Sequence, residues 1–469
     1  MPYICFEYKY CSNSDVLGGI IVVKKLKTIL PIILIIVIIV IGPFLFKKYW
    51  IDYRESYEEK KENINWKGVI TLWDYPKLDT TTGSRYSWMN KKIKEFEKSH
   101  PGVYIEYKTI DSINGKATLR AAIKINAIPD IAPIGSDMFF LSSGLLEPLN
   151  EYISNNDWKD FIEGATSSCT YEDTIYGIPW AQMGYTLLLN KDMFSDKEVD
   201  LPENGFWTYE EFIECLKKLT FEGKRKGDSK TYGLLGYIGP GYYNIFGILM
   251  GKGASIINED NGKYSFDSPE ALEGLINLYE LKNKYDVLHS GIEDLNLNTA
   301  FNLFLEGKGA VLLGESWMVP YLRNMGNKYG INFTVAHYPS YNEKYPLYIN
   351  EKYCSYGIFK QENNAKKEIC FELIKVLTDC ESQEKLKDFG YFPVRKSCVH
   401  IYQNDKEMYT IQQGLEFAKN ISCHKYWWEI DGILQYAILD VLMDRKSPEE
   451  ALQDSKALAN KYFNGKIAE

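Results

Sequence analysis

Asp74 ends an apolar run, Val69-Ile-Thr-Leu-Trp73, and stands between Trp73 and Tyr75. An acid at the end of a strand rarely belongs to a core, and in open α/β sheets solutes bind beyond the carboxyl ends of strands. A carboxylate beside flat rings suits hydrogen bonding and stacking. Trp73 reads equally well as a core residue, and Asp74 as a cap or turn residue. Patterns that would break bonds fail. The five histidines include no His-Glu-x-x-His. Gly314-Glu-Ser-Trp-Met318 lacks the last glycine of a nucleophile elbow. Gly247-x-x-x-Gly251-Lys252-Gly253 has the wrong spacing for a phosphate loop. No pair of carboxylates stands out as a glycosidase pair. An enzyme reading therefore finds no motif to rest on.

The elements that must position Asp74 follow from the flanking pattern. A helix is expected up to Phe96-Glu-Lys-Ser-His-Pro-Gly102, then an alternating strand, Val103-Tyr-Ile-Glu-Tyr107. This β-α-β opening predicts a mostly parallel sheet flanked by helices. Helix starts are marked by Thr208-x-x-Glu211, Ser268-Pro269-Glu270 and Ser447-Pro-Glu-Glu450. The 469 residues, 45% of them hydrophobic, suffice for two packed domains. The net charge of −9 is spread along the chain, with no clustered basic face for nucleic acid. The cysteines show no Cys-x-x-Cys, and Cys215 and Cys370 sit at helical spacing with apolar neighbours, so both read as buried thiols.

Residues 28–46 carry no charge and span about 28 Å as a helix, close to a hydrocarbon core. Lys24, Lys25 and Lys27 precede them, which predicts a cytoplasmic N-terminus, residues 1–27. No small-x-small site follows, so an uncleaved signal-anchor is expected, with residues 47–66 as a charged stalk. Residues 1–21 fit no signal, and translation is expected to start near Val22 or Val23.

The run Tyr176-Gly-Ile-Pro-Trp-Ala-Gln-Met-Gly-Tyr-Thr-Leu-Leu-Leu-Asn-Lys-Asp-Met-Phe194, followed by Trp207-Thr-Tyr-Glu-Glu-Phe212, resembles the extracellular solute-binding proteins, family 1. Their type case is the maltose-binding protein. Further segments match in order: Ala127-Ile-Pro-Asp130, Gly144-Leu-Leu-Glu-Pro-Leu149, Phe301-x-x-Phe-x-x-Gly307-Lys-Gly-Ala-Val311, Gly314-Glu-Ser-Trp317 and Gly390-Tyr-Phe-Pro393. The resemblance implies a two-lobed, type II periplasmic-binding-protein-like α/β fold behind one N-terminal transmembrane helix. The N-lobe would comprise residues 67–180 with 336–393, and the C-lobe 181–335 with 394–469. Crossings would fall near Trp180–Tyr185, Thr334–Ser340 and Phe392–Ser397.

The same resemblance adds candidates to Trp73, Asp74 and Tyr75. Asp137, after the apolar strand Ile131–Ile134, matches a place where the family uses a carboxylate; its other reading is a helix cap. Trp180 and Gln182 lie on the first crossing. In the second lobe the candidates are Tyr242, Tyr243, Glu315 and Trp317. Trp427 and Trp428 form a pair of which one should face the cleft and the other the core. Rings over an apolar sugar face, with carboxylates and amides on the hydroxyls, suit a mono- or oligosaccharide. No arginine cluster appears in these segments, which speaks against a phosphate or dicarboxylate. Adjacent Tyr242 and Tyr243 also admit ferric iron. The implied role is a solute-binding component of an ABC importer, a monomer without cofactor, meeting permease subunits at a membrane it is anchored to. A sensor subunit with the same fold, or a receptor for a non-sugar solute, stays open.

Overall fold

In the computed structural model, residues 1–65 and 66–469 form separate units. The structure describes residues 66–463 except 112–113, 224–229, 259–260, 326–328, 342–347, 350–352 and 420–423. The expected anchor and stalk lie outside the described residues. Among the described residues, no helix is long and apolar enough to cross a membrane.

The strands in chain order are β1 (Gly68–Asp74), β2 (Val103–Thr109), β3 (Ile131–Pro133), β4 (Thr170–Tyr171), β5 (Thr174–Ile175), β6 (Ile178–Gln182), β7 (Tyr185–Asn190), β8 (Tyr232–Leu235), β9 (Gly309–Glu315), β10 (Phe333–Ala336), β11 (Tyr348–Ile349), β12 (Tyr353–Ile358) and β13 (Ala418–Lys419). Two sheets carry the architecture, in the orders β2-β1-β3-β12-β6 and β10-β7-β9-β8. β1 runs parallel to β2, with Gly68 opposite Val103 and Asp74 opposite Thr109, and parallel to β3. β12 is antiparallel to both neighbours. In the second sheet β8 and β9 are parallel, and β7 is antiparallel to β9 and β10. Each sheet therefore has one reversed strand, β12 in the first and β7 in the second. The two-lobed fold matches expectation, with that mixed strand direction as its refinement.

Local chemistry explains the helices. Thr208 and Glu211 form the reciprocal capping box, and Ser268 caps Pro269–Asn283 with proline in its first turn. Ser447 and Glu450 bond each other's backbone N–H. Strands β7 and β9 are buried along their whole length, as expected for the centre of a covered sheet. Cys215 and Cys370 are buried, and burial pushes both thiols up to about 12.

The chain passes from the first sheet to the second through Met183 and Gly184 alone, between β6 and β7. A side chain at Gly184 would meet Ile411 and Leu415, each at 3.1 Å. The third crossing runs alongside the first: Gln182 and Phe392 exchange backbone hydrogen bonds at 2.9 and 2.8 Å. The second crossing lies later than the expected boundary at 336. Residues 337–341 still hold to the second lobe: His337 N–H donates to the Gly205 carbonyl, Ser340 N–H to Trp207, and Tyr341 stacks on Tyr209. The chain rejoins the first sheet with β12 at Tyr353. The first lobe likewise keeps β6 to Gln182, two residues beyond the expected 180.

Candidate functional site

Asp74 sits at the end of β1 and is only 2% exposed. One carboxylate oxygen accepts from the Tyr75 N–H at 2.8 Å. The other accepts from the Tyr356 hydroxyl at 2.7 Å and pairs with the Lys77 ammonium. The Lys77 Nζ lies 5.1 Å from the Trp180 ring, and 5.7 Å from both Trp88 and Tyr356. Trp88 and Trp180 stack at 5.7 Å, and Tyr391 meets Trp180 edge-on at 6.0 Å. Asp74 is thus the anion of a box of rings closed around a lysine. A buried charge needs such a partner, and the rings add cation–π attraction. Burial, then the neighbouring Asp74 charge, raises the Tyr356 phenol well above its usual range and keeps it a donor.

The matching acid of the second lobe is Glu315, the last residue of β9. It accepts from the Trp317 indole at 2.7 Å and the Tyr237 hydroxyl at 3.1 Å. Trp317 is half-buried, edge-on to Phe301 at 5.6 Å and Tyr321 at 6.0 Å. Its backbone packs on Gly390, where an added Cβ would lie 2.6 Å from the Trp317 Cα; Gly390 also has a φ of +69° that favours glycine. The next residue, Tyr391, links the lobes. Burial, then the neighbouring Cys354, and after it Glu315 and Asp74, raise its phenol above the usual range. Tyr391 itself meets Trp180 edge-on at 6.0 Å and Phe389 at 6.1 Å.

The remaining candidates separate into groups. Trp180 is buried inside the ring box. Gln182 is buried at the paired crossings. Tyr242 stands edge-on to Tyr237 at 5.1 Å, and its loop is held by Gln435 and Asp431. Tyr243 and Trp427 pack in the core of the second lobe, which makes Trp427 the inward member of its pair. Both are buried, and the Trp427 indole donates to the Tyr243 hydroxyl at 2.9 Å inside the second lobe. That bond occupies the phenol an iron ligand would need. Trp428, 37% exposed, is the outward member of the pair. Asp137 caps the helix Met138–Ser142 through the Phe139 N–H at 3.0 Å, which realises the capping reading. Trp73 lies under the Lys108 ammonium at 4.0 Å; the Tyr75 ring packs against Gly115, while its backbone carbonyl accepts from Lys77 at 3.2 Å. Among the described residues, no group of His, Cys, Asp and Glu could hold a metal ion.

Lys77, Trp88, Tyr237, Tyr356 and Tyr391 were not read as candidates. Asp74-x-x-Lys77 offered a faint signal at short range. Tyr356 lies 282 positions from Asp74, and only the sheet order β3-β12-β6 brings it there.

The two sheets and the crossings that join them define a two-lobed α/β fold. The chain belongs to the bacterial extracellular solute-binding proteins, whose family pattern it matches over residues 91–410. The maltotriose-binding protein of Pyrococcus abyssi is 25% identical over 363 residues, covering 74% of this chain and 73% of that protein. The galactooligosaccharide-binding protein of Bacillus subtilis is 26% identical over 250 residues, or 51% and 55%. A solute-binding protein from Thermotoga lettingae, bound with α-D-tagatose, superposes with a TM-score of 0.72 at 22% identity, covering 84% of this chain and 99% of that one. An ABC substrate-binding protein from Listeria monocytogenes, in complex with cycloalternan, gives 0.71 at 21%, covering 85% and 100%. The family and the fold are those of solute-binding proteins and not of enzymes.

Proposed function

We propose that this protein is the extracytoplasmic, membrane-anchored binding component of an ABC importer and that its solute is a carbohydrate. The observation that carries the reading is an acid at a strand end of each lobe held among aromatic rings, Asp74 by the Tyr356 hydroxyl and Glu315 by the Trp317 indole and the Tyr237 hydroxyl. Acids held by hydrogen bonds beside flat rings are the chemistry that recognises hydroxyls around an apolar sugar face. The names of the related proteins point the same way, toward oligosaccharides. Asp74, Trp180, Gln182, Tyr242, Glu315, Trp317 and Trp428 are the residues proposed around the solute. The lobes rotate about the three crossings and close on it. The permease subunits read the closed state, and the solute selects it. Residues 28–46 are proposed as the anchor that keeps the receptor near its transporter.

The test is a melting screen of the full chain in detergent against maltotriose, galactooligosaccharides, tagatose, amino acids, phosphate and ferric iron. A solute that binds only the folded state raises the melting temperature by mass action. A rise with a saccharide, lost in Trp317→Ala, is expected. A rise with a non-sugar alone would overturn the carbohydrate reading.

A further inference from the structure

Arg120 lies on the first-lobe helix Gly115–Lys124, outside every segment read as part of the site. Its guanidinium meets four side chains. Nη2 is 3.7 Å from Asp137 Oδ2, and Nη1 is 3.8 Å from Glu429 Oε1. The Phe139 ring lies 4.2 Å away and the Trp428 ring 5.7 Å. Asp137 and Phe139 belong to the first lobe. Trp428 and Glu429 stand in the first turn of the second-lobe helix Trp427–Leu442. Arg120 thus touches both lobes at once. Away from the crossings, the Asn324 amide also reaches the Thr80 hydroxyl of the first lobe at 3.1 Å, a neutral contact.

The arrangement is not needed by local structure. Asp137 caps its helix through the Phe139 N–H with Oδ1, while Oδ2 faces Arg120. Arg120 Nε and Nη2, and Glu429 Oε2, are buried without a hydrogen-bond partner among the described residues. Opposite charges drawn within 4 Å, with donors and an acceptor left over on both sides, are the sign of a contact that forms when lobes meet. In an opened receptor the same groups return to water, so the attraction belongs to the closed arrangement alone.

We propose that Arg120 is a cross-lobe clamp, a positioning residue whose ion pair with Glu429 stabilises closure. The clamp concerns the two lobes and is independent of the carbohydrate reading.

The experiment uses the full chain in detergent, with two dyes attached through encoded azides at the exposed positions Lys94 and Glu210, one on each lobe. Energy transfer reports the closed-to-open ratio with no solute added. Arg120→Gln and Glu429→Gln should each lower that ratio about threefold to tenfold, the range for a partly exposed close pair. The double variant should go no further than either single one, the non-additivity of partners in one contact. Arg120→Lys should recover part of the loss, and salt at about 1 M should open the wild type while leaving the double variant unmoved. Unchanged transfer in both single variants, or additive losses, would overturn the clamp. Because the cleft is empty in this assay, failure here is distinct from failure of the melting screen, which judges the solute.

Discussion

The Trp317 indole donates to Glu315 at 2.7 Å across a single intervening residue, Ser316. The other Glu315 oxygen takes the Tyr237 hydroxyl at 3.1 Å. A carboxylate held from two sides is fixed in orientation before any solute arrives, which is how a receptor limits the ordering cost of binding. Burial, and then the Glu315 charge, keeps the Tyr237 phenol protonated and donating.

Trp317→Phe keeps a ring and removes the indole N–H. A hydrogen bond to a charged group contributes about 1.5–3 kcal/mol, so solute affinity should fall about tenfold or more. Calorimetric titration with the best saccharide from the melting screen checks this. Unaltered affinity would remove Trp317 from the site.

Trp427→Phe should behave differently. The lost indole leaves the buried Tyr243 hydroxyl without its donor. The expected cost is about 1–3 kcal/mol of stability with solute affinity unchanged. Urea unfolding and titration of the same variant separate the two effects. A large loss of affinity at normal stability would return Trp427 to the cleft.

His337 should make the receptor sensitive to acid. It is 1% exposed, packs on Phe206 with ring centres 4.1 Å apart, and burial lowers its pKa to about 4. An unfolded histidine titrates near 6.5, so between these values the unfolded state binds more protons. Stability is therefore complete above about pH 6.5 and falls as pH drops toward 4, by up to about 3 kcal/mol. Melting temperatures from pH 7 to pH 4 should decline less steeply in His337→Phe than in the wild type (one pKa unit is about 1.4 kcal/mol). Parallel curves would show that His337 does not carry the effect.

The sequence made some of this readable. The β-α-β opening placed Asp74 at a strand end, because alternation and capping are written locally. Thr208-x-x-Glu211 became a capping box for the same reason. The run Tyr176–Phe194 contains β6 and β7, which belong to different sheets. Tyr243 and Trp427 were not legible as core. Each is an aromatic next to another aromatic, and adjacency does not tell which ring turns inward. The second crossing was placed early because residues 337–341 keep their bonds to Gly205, Trp207 and Tyr209, a cost no local pattern reveals.

By itself the sequence determined the family, the two-lobed fold and the strand that ends in Asp74. The strand follows from periodicity and capping, which act over a few residues; the family and the two-lobed fold follow from the resemblance carried by motifs in order along the chain. Only the tertiary structure decided what Asp74 and Glu315 face. Tyr356 reaches Asp74 from 282 residues away, and Arg120 meets Glu429 from the other lobe. Buried charges take whichever partners the packing of two sheets brings within hydrogen-bond or Coulomb reach, and that reach is set in space, not along the chain.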